Sequence, residues 1–260
     1  MAYTDIDDPS EYFNTKIFTG DNSANNAVTG VGFQPDWIWF KNRNAANDHA
    51  IVDSVRGRKA LSSNNTSEEL TLNANKDFES FDSDGFTVDV VEQLNSFNKS
   101  GDSLVSWNWK AGTSFTNDAS STSVGSIDSV GSVNTDAGFS IISYTGTGSN
   151  GTIAHGLGVV PAWIIHKRRD DDSGWVVWHK SIGTNIMELN ETGAAQGGSS
   201  YINGTVPTSS VFSVGTSGDI NASGGTYIAY CFAEKKGYLK TGKWIGNGNN
   251  NGPFPLPFPV

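Results

Sequence analysis

Few side chains in this chain could do chemistry, and their spacing argues against most reactions. The histidines stand apart at His49, His155, His166 and His179, and Cys231 is the one cysteine. Helical zinc hydrolysis needs His-Glu-Xaa-Xaa-His, structural zinc needs paired cysteines, and many Ser hydrolases carry a Gly-Xaa-Ser-Xaa-Gly elbow; the chain has none of these. Cys231 sits in the apolar run 227–233 and is expected to be a small core residue with no disulfide partner. Carboxylates cluster at Asp5/Asp7/Asp8, Asp82/Asp84 and Asp170/Asp171/Asp172. A glycosidase places two carboxylates across a cleft, whereas 82–85 reads as a turn and 170–172 as a hairpin loop. Calcium at either loop is the lesser reading. The Gly-rich stretch 145–151 leads into further strand, with neither the helix nor the lysine of a phosphate loop. No catalytic residue, metal ligand or cofactor is assigned, and the expectation is a protein without enzymatic activity.

A second group could recognise rather than react. Lys41, Arg43, Lys167 and Arg169 stand at matching places near the ends of two strand-like segments, each preceded by tryptophan or isoleucine. Basic groups beside aromatic rings suit a glycan or a protein partner, although pairing with the chain's own carboxylates explains them equally well. These four are the candidate contacts. Trp244, Phe254 and Phe258, in the Pro-rich C-terminal tail, are candidates for contact between subunits.

Composition narrows the partners. Lys plus Arg number 17 and Asp plus Glu 27, a net charge of −10. An acidic chain without a basic run is a poor ligand for nucleic acid and for anionic membrane surfaces. No apolar stretch is long enough to cross a bilayer as a helix, and the opening residues lack the pattern of a secretory signal. Gly is abundant at 30 residues and Trp at 8, a mix that suits short strands joined by turns, with tryptophans supplying large buried areas.

The elements that must position these residues come in two copies. Shifting the sequence by 126 places Thr19-Gly20 on Thr145-Gly146, Pro35 and Trp37-Ile38 on Pro161 and Trp163-Ile164, and Lys41 and Arg43 on Lys167 and Arg169. Ten of the 26 positions from 18 to 43 are identical (43 − 18 + 1 = 26), far above chance, and internal repeats of this kind dictate architecture. After a three-residue slip, 100–111 matches 223–234. A third copy opens near Gly237 with Trp244 on Tyr144. Alternating apolar segments predict strands throughout, with Val105, Trp107 and Trp109 on one face and the segment 35–40 apolar on both. The stretch 67–78 admits a helical turn. The predicted fold is all-β: two tandem β-sandwich, jelly-roll-like modules and a truncated third repeat. The expected boundaries are an arm at 1–11, modules at 12–111 and 138–234, a Ser/Thr/Gly-rich linker at 112–137 whose segment 124–133, with its spaced apolar residues, admits an edge strand, and the third repeat with its tail at 235–260.

These residues also resemble a known family. The segments 18–20, 30–43, 53–57, 81–88 and 106–112, followed by 136–169 and 227–238, are similar to an uncharacterised repeat domain of tail-fibre and other virion structural proteins of marine bacteriophages. The likeness runs from Tyr12 to about Phe254. It implies a virion component without catalytic residues: a tail fibre, tail accessory or head-decorating protein. The expected partners are other virion proteins and copies of the same chain, a trimer being a common arrangement in fibres and decorations. Recognition of host surface glycans is the alternative function.

Overall fold

The computed structural model describes residues 4–244 and residue 246. Its first half carries β1 (Phe13–Thr19), β2 (Asn26–Thr29), β3 (Trp37–Asn42), β4 (Ala50–Asp53), β5 (Gly57–Ser62), β6 (Leu70–Thr71), β7 (Phe78–Asp82), β8 (Gly85–Val88) and β9 (Ser103–Trp109). The second half carries β10 (Thr113–Asn117), β11 (Ser129–Asn134), β12 (Phe139–Thr145), β13 (Gly151–Ala154), β14 (Trp163–Arg168), β15 (Trp175–His179), β16 (Asn185–Glu188), β17 (Gln196–Gly197), β18 (Val211–Val214) and β19 (Thr226–Phe232). One large antiparallel sheet runs β1-β9-β3-β4-β5-β6, and the other runs β10-β11-β12-β19-β14-β15-β16-β17. Two small sheets, β2-β8-β7 and β13-β18, complete the all-β architecture.

From β12 onward the two large sheets order their strands alike. β12 starts 126 residues after β1 (139 − 13), β14 126 after β3 (163 − 37), β17 126 after β6 (196 − 70), and β19 123 after β9 (226 − 103). The three-residue slip falls between β18 and β19, in a connection that has no ladder to preserve.

Three apolar cores alternate with these sheets. Phe40, Phe78, Phe86 and Phe97 fill the space between the first large sheet and β2-β8-β7. Ile153, Phe212 and Val214 of the other small sheet pack on Ile164, Val176, Tyr227 and Cys231. The third core lies between the two large sheets, where Trp37, Ile51 and Leu61 meet Phe139, Ile165, Trp175, Tyr230 and Phe232. β3 is thus covered on both sides, Ile38 and Phe40 facing one core and Trp37 the other. This is the physical meaning of its continuous apolar run, because a strand between two cores has no solvent face to keep polar.

Three local readings are corrected. The stretch 112–137 is no linker. β10 and β11 form a hairpin on the outer edge of β12, and Gly131 lets the strands close, since a Cβ there would collide with the Ile141 carbonyl. Its Ser and Thr side chains disguise strands that expose one face. The stretch 67–78 holds β6 and a turn instead of a helix. The opening of the third repeat does not form a strand among the described residues. Lys235 bridges back to Leu239, and Leu239 packs against the core between the sheets. The N-terminal arm docks on the same segment, Asp5 and Ile6 both donating their N–H groups to the Lys236 carbonyl. Trp244 is 76% exposed, while Phe254 and Phe258 lie outside the described residues.

Candidate functional site

The four basic candidates separate into an inner and an outer pair. The inner pair joins the two halves. Arg169 grips Glu69 with two bonds, Nε to Oε2 at 2.7 Å and Nη2 to Oε1 at 3.0 Å. Arg56 reaches the same carboxylate at 3.2 Å, and Lys59 at 2.9 Å. Burial works against the ionised form of Glu69, but Arg169, Arg56 and Lys59 outweigh it and hold the carboxyl at about 2. Beneath lies a closed triad: Arg56 Nε donates to Asp53 at 2.6 Å, Tyr230 donates its hydroxyl proton to Asp53 at 2.7 Å, and Arg56 Nη2 donates to Tyr230 Oη at 3.2 Å. Lys167 has no exposed surface, and its ammonium donates to the carbonyls of Thr66 and Arg168. Lys167 and Arg169 are therefore not available to a glycan or a second molecule. The loop between β5 and β6 covers them, a long-range contact with no signature in local sequence.

The outer pair keeps its access. Antiparallel register sets Thr15, Trp107 and Trp39 in one row across β1, β9 and β3, with Ile17, Val105 and Lys41 in the next. Arg43 continues the pattern, its N–H donating to the Ser103 carbonyl and its Nη1 to Ser103 Oγ at 2.8 Å. Side chains two apart on a strand share a face, so the basic strand end and the two indoles lie on one surface. Trp39 and Trp107 are partly exposed and meet edge to face at 6.3 Å, and Ile17 is 58% exposed. Lys41 Nζ donates to the Asn47 carbonyl, and among the described residues neither Lys41 nor Arg43 is ion-paired.

The matching rows of the second half show what this face becomes when covered. Ile141, Tyr230 and Ile165 stand where Thr15, Trp107 and Trp39 stand, and Ser143, Ile228 and Lys167 where Ile17, Val105 and Lys41 stand. Tyr230, Ile165, Ile228 and Lys167 are buried under the first half. Reading tryptophans as core residues holds for Trp39, which is partly buried against the core between the sheets, but misses the accessible side of Trp107. The available signal was the mismatch between copies, an indole in one and an isoleucine or tyrosine in the other.

No comparable convergence of reactive groups exists elsewhere among the described residues. His155 is engaged through both nitrogens, by the Thr208 carbonyl and the Leu157 N–H. His166 is buried against Phe212 with Nδ1 unpartnered, and burial lowers its pKa to about 3. Burial pushes the Cys231 thiol up to about 12. No group of three His, Cys, Asp or Glu among these residues could hold a metal ion. The acidic loops are internally satisfied: Asp84 accepts the N–H groups of Gly30 and Gly32, and Arg168 pairs with Asp170 and Asp171. A groove of about 570 Å³ lies between 126–130 and 143–147 and is lined mainly by hydroxyls, with Asp128 its one carboxylate. No described helix is long and apolar enough to cross a membrane.

Comparison with known proteins places the chain without describing its activity. No curated protein and no solved structure matches it. Residues 8–256 match the model of a domain of unknown function, DUF7483, and the chain belongs to that family.

Proposed function

We propose that the protein is a non-enzymatic structural component of a bacteriophage virion. It is a tail fibre, tail accessory or head-decorating protein that assembles through sheet contacts with other virion proteins and with copies of itself. The observation that carries this reading is the outer edge of β1. Its counterpart β12 is hydrogen-bonded along that edge by β11, whereas β1 pairs only with β9 among the described strands. An unpaired edge is satisfied by a strand from another chain. The resemblance to virion repeat domains supports the same reading. Quantitative mass spectrometry of purified particles tests it. Hundreds of copies per particle assign the protein to the head, a few to a few tens assign it to the tail, and absence refutes the proposal.

A second reading, recognition of host surface glycans, is favoured by one observation. Trp39 and Trp107 form a partly exposed pair beside two cations that lack carboxylate partners among the described residues. The two readings are compatible in a protein at the tip of a fibre.

A further inference from the structure

We propose that the outer face of β1 and β9, beside the exposed end of β3, binds an acidic polysaccharide, with Trp107 as its stacking platform and Lys41 and Arg43 as its carboxylate-binding rim. The inference rests on the glycan reading above and adds the site and the ligand class.

Three observations converge. First, the outer part of this face, with Ile17, Trp107 and Arg43, is accessible in the first half, beyond the part where Trp37 and Trp39 pack on the core between the sheets, whereas the matching part of the second half is closed. In the second half the equivalent lysine and arginine are covered by the β5–β6 loop, where Glu69 neutralises Arg169 and the Thr66 carbonyl receives Lys167. A carboxylate is thus the group that the same basic position takes where its partner is visible. Second, in a chain of net charge −10, Lys41 and Arg43 have no carboxylate partner among the described residues. Arg43 is exposed, and it offers a planar fork suited to carboxylates. Third, indole faces pack against the C–H faces of sugar rings, and the row Thr15–Trp107–Trp39 lies across three strands. Strands in a sheet are spaced by about 4.8 Å, so this row and the cationic rows beside it span the width of two or three sugar residues.

The test uses the full chain and two probes of equal length, an oligogalacturonate and a neutral maltooligosaccharide. Binding is read by intrinsic tryptophan fluorescence and by calorimetry, at low salt and at about 0.5 M salt, where screening is strong. The expected result is binding of the acidic probe alone, weakened by salt. Trp107→Ala and the double variant Lys41→Gln/Arg43→Gln are each expected to weaken it at least about tenfold. Ile17→Glu is the control against misfolding: the position is 58% exposed, so the fold is kept while a carboxylate enters the face and repels the ligand. Equal binding of both probes, lost in Trp107→Ala but kept in the charge variants, overturns the acidic class and leaves the glycan reading standing. Binding that survives Trp107→Ala and Ile17→Glu places the site elsewhere and overturns the proposal. Absence of binding to either probe overturns both the site and the glycan reading. It leaves the virion reading to the copy-number measurement.

Discussion

Replacing Glu69 by Gln tests the idea that one carboxylate clamps the two halves together. Glu69 lies in the loop before β6, and its main partner Arg169 lies just after β14, so the contact spans the interface between the large sheets. Its side chain is 7% exposed, and solvent screening removes little of the interaction. The carboxyl is held at about 2 against an ordinary 4.5. Each pH unit of such a difference is worth about 1.4 kcal/mol, so the ionised form stabilises the fold by about 3 kcal/mol. Glutamine keeps the shape but leaves Arg56 and Arg169 without their countercharge, a loss of the size seen when one partner of a buried pair is removed, about 3–5 kcal/mol. For a chain of this length each kcal/mol moves the melting temperature by about 2–4 °C. The expected drop at pH 7 is on the order of 10 °C, measured by calorimetry or circular dichroism. The pH dependence is the sharper check. The folded pKa lies below the unfolded one, so the unfolded chain binds more protons between them, and the stabilisation is lost as pH falls. The gap between wild type and Glu69→Gln should hold from neutral pH to about 4.5 and close towards about 2. An unchanged melting temperature at pH 7, or a gap that does not narrow in acid, would refute the reasoning.

Two further predictions concern the core and the tail. His166→Phe is expected to raise the melting temperature, because the matching residue in the first half is Phe40 and Nδ1 of His166 has no partner. Since burial lowers the histidine pKa to about 3, wild type should lose stability as pH falls from 6.5 towards 3, and the variant should lose less over that range; parallel pH profiles would count against this. A chain ending at Glu234 should melt several degrees lower, because it loses Leu239 from the core between the sheets and the Lys236 carbonyl that receives Asp5 and Ile6. An unchanged melting temperature would mean that the docked arm and tail contribute nothing.

Much of the architecture is legible because strand formation is a local matter. The doubly apolar run at 37–40 marks a strand with a core on each side, and the turn chemistry of 82–85 marks the β7–β8 hairpin. Alternation along 103–109 misleads, since Ser106 and Asn108 are fully buried while Trp107 and Trp109 are only partly so. Where side chains are polar and small, local reasoning loses its grip. β10 and β11 are rich in Ser and Thr, so composition reads as a linker even though the spaced apolar residues of 124–133 admit a strand; the pairing of β11 with β12, and of β10 with β11, makes them strands. The helical reading of 67–78 fails for a related reason, since the segment is tied by long-range partners, with Glu69 on Arg169 and Leu72 N–H on the Arg58 carbonyl.

For the basic candidates, the repeat places Lys41 with Lys167 and Arg43 with Arg169, and strand periodicity puts each pair on one face of its sheet. Sequence therefore determines that both copies carry two cations near the end of a β-strand, beside a row of large apolar side chains. It does not determine which copy is covered. That depends on how one sheet lies across the other, which buries Lys167, clamps Arg169 to Glu69, and leaves Arg43 exposed and Lys41 half-exposed beside Trp107. Local sequence sets the direction of a side chain through backbone periodicity, but its exposure is a property of what packs above it, and that is decided by residues far away in the chain.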